Sequence, residues 1–192
     1  MRHDNFIPVP RFIKIHSRGR LPHWEVDDAV YFITFRLRDA LPRAVAEALL
    51  LERERMLRGV ATVAERVKLD HAFSIRLDHY LDQNHGSCLL RHHGELVANA
   101  FKHFDRARYE LHGWCVMPNH VHVMLHVALG RDVPEILHSW KSYTAHEIDR
   151  GVIWQREYFD RVVRSPADFG NTRAYIHANP AKAGLRNWRW VG

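Results

Sequence analysis

The stretch RYELHGWCVMPNHVHVMLHV, Arg108 to Val127, decides the fold. Arg108 to Met117 and His120 to Val127 are two extended runs that meet at Pro118-Asn119, as expected for a β-hairpin. The second arm alternates strictly. His120, His122, Met124 and His126 face one way, and Val121, Val123, Leu125 and Val127 the other, so one face belongs to a core and the opposite one carries imidazoles.

Downstream, Pro134 opens a helix after Gly130, with Ile136, Leu137, Trp140, Thr144 and Ile148 as its apolar stripe. A short strand-like run, Tyr158 to Arg164, follows. Ser165-Pro166-Ala167-Asp168 then reads as a capping box with proline at the first helical position, predicting a last helix from about Pro166 until Pro180 stops it. Upstream, Val30 to Leu37 alternates as a strand, Pro42 to about Arg58 has helical periodicity, and Leu96 to about Arg106 forms another helix. Residues 62–93 suggest helical turns ending in the loop Asp82 to Gly86. The order strand, helices, strand, strand, helix, strand predicts an α+β fold. It is a ferredoxin-like (split βαβ) antiparallel sheet with helices on one face, an inserted helical segment and an extra C-terminal helix. The crossover rule places the Val30 strand beside the histidine strand in the sheet centre.

With 192 residues, the chain suits one domain, expected over residues 29–192 behind a basic N-terminal arm of residues 1–28. Apolar residues make up 46% and charged residues 26%, which excludes a disordered or membrane-embedded class. The N-terminus lacks the apolar segment of a secretory signal, so a cytoplasmic protein is expected. Two cysteines, Cys88 and Cys115, are too few for a disulfide scaffold or a four-thiolate zinc site. A net charge of +6, with a pI near 9.6, favours an acidic partner, nucleic acid first.

Two constellations can carry chemistry. His120 and His122 lie two apart on a strand, so both imidazoles can reach one cation while Val121 packs behind them; the same spacing also fits two histidines on a half-exposed sheet face. His126 continues the row but lies too far along it to share the cation. Tyr175 and Asn179, four apart on the last helix, present a phenol and a carboxamide together, although each also suits an ordinary helical residue. Tyr143, beside the Trp140 stripe, and Tyr158, next to Phe159, read as structural.

The run Trp114-Cys115-Val116-Met117-Pro118-Asn119-His120-Val121-His122-Val123-Met124 resembles the HUH motif of single-tyrosine transposases, in which U is a hydrophobic residue. Four further segments resemble the REP-associated tyrosine transposase branch, in the same order from about residue 22 onward. They are Leu81-Asp82 through Gly86 to Leu89; Lys141 to Ala145; Trp154 to Arg161; and Tyr175-Ile176-His177-Ala178-Asn179-Pro180 with Ala183-Gly184-Leu185. The resemblance implies that His120, His122 and Asn179 are metal ligands and Tyr175 the nucleophile. Asn179 stands where some relatives outside this branch use glutamine.

The implied reaction is transesterification of single-stranded DNA at hairpin (REP-type) elements, giving a 5′-phosphotyrosine link and a free 3′-hydroxyl. The implied cofactor is a divalent ion, Mn2+ or Mg2+; two imidazoles suit manganese better than magnesium, which prefers oxygen donors. The implied setting is the nucleoid of a bacterial cytoplasm, with a homodimer as one possible assembly. Arg11, Lys14, Arg18, Arg20, Lys141 and Arg173 are the candidate DNA-binding cations, each equally consistent with a solvated surface charge. Three other readings differ in class. A non-catalytic or regulatory binder of repeat hairpins conflicts with the joint presence of His120, His122, Tyr175 and Asn179. A replication or mobilisation HUH endonuclease conflicts with the lone tyrosine after the histidines. A structural zinc site lacks a cysteine near the pair.

Overall fold

The computed structural model describes residues 13–17, 22–60 and 62–192. Its main sheet has four strands, β3 (Ala29–Arg36), β4 (Tyr109–Val116), β5 (His120–Val127) and β6 (Phe159–Val162), following a separate two-stranded hairpin, β1 (Ile13–Ser17) and β2 (Pro22–Val26). The order across the main sheet is β4-β5-β3-β6, and all its pairings are antiparallel. This is the split βαβ order expected of the sequence, with β3 beside β5 in the centre. The helices are α1 (Arg43–Leu57), α2 (Val63–Leu81), α3 (Leu90–His103), α4 (Val133–Ile148) and α5 (Pro166–Lys182).

The period-2 alternation of β3 and β5 sorts their side chains into two layers. Ile33, Phe35, Val121, Val123 and Leu125 pack against Val97 and Phe101 of α3 and Leu137 and Trp140 of α4. Phe32, Cys115, Met117 and Met124 form a smaller cluster on the opposite face with Ile176 of α5. The two crossover helices therefore share one face, and the extra helix covers the other. The edge of β4 is closed by residues near the C-terminus: Trp114 N–H donates to the Gly192 carbonyl at 2.7 Å and Val116 N–H to that of Trp190 at 2.9 Å.

Three differences from expectation have local causes. Within the expected basic arm of residues 1–28, Ile13–Ser17 and Pro22–Val26 form β1 and β2; five-residue strands, one starting at a proline, are too short to display a period. Residues 63–81 form one continuous helix capped by a Thr62–Glu65 capping box, and its apolar side is interrupted by buried Asp70 and Asp78. Helix α5 runs past Pro180 to Lys182, because a proline in the last turn removes only its own N–H while Ala183 N–H still donates to the Asn179 carbonyl at 3.0 Å. Among the described residues no helix is long and apolar enough to cross a membrane.

Candidate active site

The register of β3 on β5 sets Thr34 opposite His122 and Arg36 opposite His120. Both histidines are fully buried, and their Nε2 atoms lie 3.0 Å apart. The backing of each ring fixes what those nitrogens can do. Asn119 Nδ2 donates to the carbonyls of Leu81 and His85, at 3.2 and 3.0 Å, which turns its Oδ1 toward His120 Nδ1 at 2.7 Å. A carboxamide oxygen only accepts, so His120 carries its proton on Nδ1 and offers a lone pair at Nε2. His122 Nδ1 lies 2.9 Å from Thr34 Oγ1, a hydroxyl able to donate or accept, so this ring can hold either tautomer. Burial pushes the His122 pKa down to about 3 and that of His120 well below the ordinary value, so both rings are neutral.

Helix α5 brings the tyrosine. Ser165 Oγ caps it by accepting from Asp168 N–H at 3.0 Å, and Pro166 occupies its first turn. Arg161 of β6 donates to both Asp168 carboxylate oxygens at 3.0 Å and to Thr172 Oγ1 at 2.6 Å, tying the helix to the sheet. The Tyr175 ring then lies edge-on to His122, with centroids 5.4 Å apart, and edge-on to Phe32 at 6.0 Å. One turn later Asn179 is fully buried, and neither polar atom of its carboxamide has a hydrogen-bond partner. Tyr175, Asn179 and the two histidines all belong to one copy of the chain.

Helix α2 contributes two carboxylates one turn apart. Tyr175 Oη donates to Asp78 Oδ2 at 2.7 Å, and Asp82 Oδ1, buried without a hydrogen bond, lies 3.8 Å from His120 Nε2. Burial raises the Asp78 carboxyl to about 7, against the pull of the Tyr175 hydrogen bond; burial also raises Asp82 to about 6, against His79 and Lys182. The Tyr175 phenol is pushed far above its ordinary value, first by burial and then by Asp78.

The donors suit a divalent cation. With His122 protonated on Nδ1, two lone-pair nitrogens face each other at 3.0 Å and repel unless a cation lies between them, and about 3 Å is the separation of two ligands at right angles, each about 2.1 Å from one ion. Among the described residues no group of three His, Cys, Asp or Glu side chains is arranged to hold a metal; the buried oxygens without hydrogen bonds include Asn179 Oδ1, one turn after Tyr175, and Asp82 Oδ1, 3.8 Å from His120 Nε2.

The family model for IS200-like transposases matches residues 85–179, a span that begins in the loop below His120 and ends at Asn179. The chain belongs to the IS200-like transposase family. A REP-associated tyrosine transposase of Escherichia coli (strain K12) is 27% identical over 106 residues, covering 53% of this chain and 63% of that protein. This member of the family thus aligns with somewhat under two thirds of the length of that curated relative. A solved structure of a REP-associated tyrosine transposase bound to a REP hairpin superposes with a TM-score of 0.57 at 20% identity. It covers 89% of this chain and 76% of that one, and shares its fold.

The remaining candidates of this IS200-like chain scatter. Arg173 is exposed on α5. Lys141 Nζ is turned inward, donating to the carbonyls of Gln155 and Arg156 at 2.8 and 3.2 Å, and burial lowers its pKa to about 8. Lys14 lies on β1, while Arg11, Arg18 and Arg20 lie outside the described residues. His126 pairs with Asp28 at 2.7 Å, away from the His120 pair. Tyr143 is exposed rather than packed beside Trp140, and Tyr158 stacks on His23. Sequence reasoning missed Asn119, Thr34, Asp78, Asp82 and Lys182, whose ammonium sits 5.0 Å from the Tyr175 ring centre. The four-residue spacing of Asp78 and Asp82 was a usable signal, because it puts two acids on one helix face.

Proposed function

We propose that this chain is a metal-assisted tyrosine transposase that cleaves and rejoins single-stranded DNA at hairpin (REP-type) elements. The observation that carries the proposal is the Tyr175 ring set edge-on to His122 at 5.4 Å, with His122 Nε2 3.0 Å from that of His120 and the buried Asn179 carboxamide one turn along the tyrosine helix. The likeness to a relative named REP-associated tyrosine transposase, and to a structure described as bound to a REP hairpin, supports the substrate class.

His120, His122 and Asn179 would hold a divalent ion, Mn2+ fitting the nitrogen donors best. When bound, the ion supplies Lewis-acid polarisation of the scissile phosphate and offsets charge on its oxygens. The chain's own residues do the rest. Asp78 orients the Tyr175 phenol through the 2.7 Å hydrogen bond and takes its proton as the Oη–phosphorus bond forms. The bond from phosphorus to the 3′ oxygen breaks, leaving a 5′-phosphotyrosine and a 3′ oxygen that takes up a proton. The raised Tyr175 pKa keeps the phenol neutral at rest, so proton loss is coupled to attack. Asp78, pushed up to about 7, is matched to accept that proton near neutral pH. Because the phosphotyrosine retains phosphodiester energy, a 3′-hydroxyl can reverse the step and rejoin strands. Exposed cations, with Lys182 nearest the nucleophile and Arg173 on the same helix, would position the backbone of the DNA. The protein would act at the bacterial nucleoid, and one copy suffices for cleavage.

The test uses an end-labelled hairpin with a single-stranded flank, incubated with Mn2+ and resolved on a denaturing gel. Wild type should form a covalent protein–DNA adduct; Tyr175→Phe should bind the hairpin equally well and form none. A persistent adduct in the variant would remove Tyr175 as the nucleophile.

A further inference from the structure

The strongest unassigned feature is a cavity of about 420 Å³ between the inserted helices α1 and α2 and the β3–β6 side of the sheet. Its apolar walls include Leu49, Leu50, Phe73 and Leu77, with Phe159 beside them. Thr34 joins it to the catalytic site, lining the cavity while its hydroxyl is hydrogen-bonded to His122. Arg36 and Arg156 add positive charge to its walls. Glu157 also lines it, and the Oε2 atom of Glu157 is buried with no hydrogen-bond partner.

Two segments that catalysis leaves unexplained converge here. Trp154 to Arg161 supplies the cavity residues from Gln155 to Phe159, and Lys141 fixes that wall by binding the carbonyls of Gln155 and Arg156. An apolar slot with aromatic surface, cationic walls and a carboxylate on its lining matches the recognition of an unstacked nucleobase.

Resting on the single-strand transposase reading above, we infer that this cavity takes one unpaired base of the DNA flank next to the cleaved phosphate, with Glu157 reading its Watson–Crick edge. A carboxylate accepts from the exocyclic amine of cytosine, adenine or guanine. Thymine presents carbonyl oxygens on either side of its single N–H, and these repel the carboxylate. The cavity therefore selects an amino-bearing base over thymine at one flank position.

The experiment scans an abasic site through the flank of a labelled hairpin and measures the affinity of the full chain and adduct formation at each position. One position near the cleaved phosphate should lose about tenfold or more in affinity when abasic, the effect of losing one stacked base. At that position wild type should bind an amino-bearing base more tightly than thymine. Glu157→Gln should erase the preference, and Leu77→Trp, which fills the slot, should erase the abasic penalty while the adduct still forms on the abasic substrate. A Leu77→Trp variant that fails to fold leaves the decision to Glu157→Gln. Adduct formation with identical profiles in wild type and Glu157→Gln, as when a segment of this chain or a partner protein fills the cavity, overturns this inference alone. Failure of wild type to bind the hairpin or form an adduct overturns the transposase reading, and this inference with it.

Discussion

In the proposed mechanism, replacing Asp78 with asparagine separates holding the Tyr175 phenol from taking its proton. The carboxamide oxygen still accepts from Tyr175 Oη, but it has no useful basicity. The carboxyl stands at about 7 in the folded protein against 3.8 when solvated, chiefly because it is buried. At 1.36 kcal/mol per unit, ionising it in place costs about 4 kcal/mol. The folded value is the raised one, so this destabilisation is absent below pH about 4, grows as pH rises, and is complete above about 7. Between pH 5 and pH 8 wild type should therefore lose about 3 kcal/mol of stability that Asp78→Asn keeps. Urea unfolding of both proteins across that range reads the widening gap directly. On labelled hairpin DNA the variant should form the adduct about 10² to 10⁴ times more slowly, the usual contribution of a general base. A stability gap that stays constant with pH, or an adduct at the wild-type rate, would refute the reasoning.

Asn119→Ala removes the acceptor behind His120 Nδ1 and should weaken Mn2+ binding about 10- to 100-fold by calorimetry; unchanged affinity would mean that the ring needs no such support. Arg161→Ala strips Asp168 and Thr172 of their hydrogen bonds from the sheet and should cost about 1–3 kcal/mol, with faster amide exchange concentrated in α5. Uniform loss of protection across the chain would contradict an anchoring role. Annealing a complementary strand to the flank should abolish cleavage at fixed salt, since a stacked duplex cannot bend to the buried phenol; equal rates on both forms would favour a duplex nuclease.

The sheet and its histidines were legible because a half-buried strand writes period-2 alternation into its sequence, and eight residues of β5 suffice to show it. Helix α5 was legible from its cap, although its end was not, because a proline rule describes helix interiors better than last turns. Helix α2 was obscure for a physical reason. Its buried face carries Asp70 and Asp78 among apolar residues, so a helix that delivers acids to a site and a salt bridge has a blurred stripe. Asn119 reads as a turn residue, and only the fold shows its amide reaching residues 34 and 38 positions earlier in the chain. Thr34 likewise becomes informative only once the register sets it opposite His122. Residues read singly as surface cations fared differently: the packing of α4 against the Gln155–Arg156 loop turns Lys141 inward, and no local pattern encodes that.

The reach of Asn119 also ties the histidine pair to the docking of α2. The four-stranded sheet and helices α3 and α4 can collapse on their own apolar layer, but the carbonyls that orient the Asn119 amide belong to the end of α2 and the loop after it. Without that helix in place the amide is free to turn, His120 can take either tautomer, and the Tyr175 hydroxyl has no Asp78 carboxylate to donate to. The insertion that looks peripheral in the sequence thus acts as a safety catch, because His120 and the Tyr175 hydroxyl gain their hydrogen-bond partners only where it is docked.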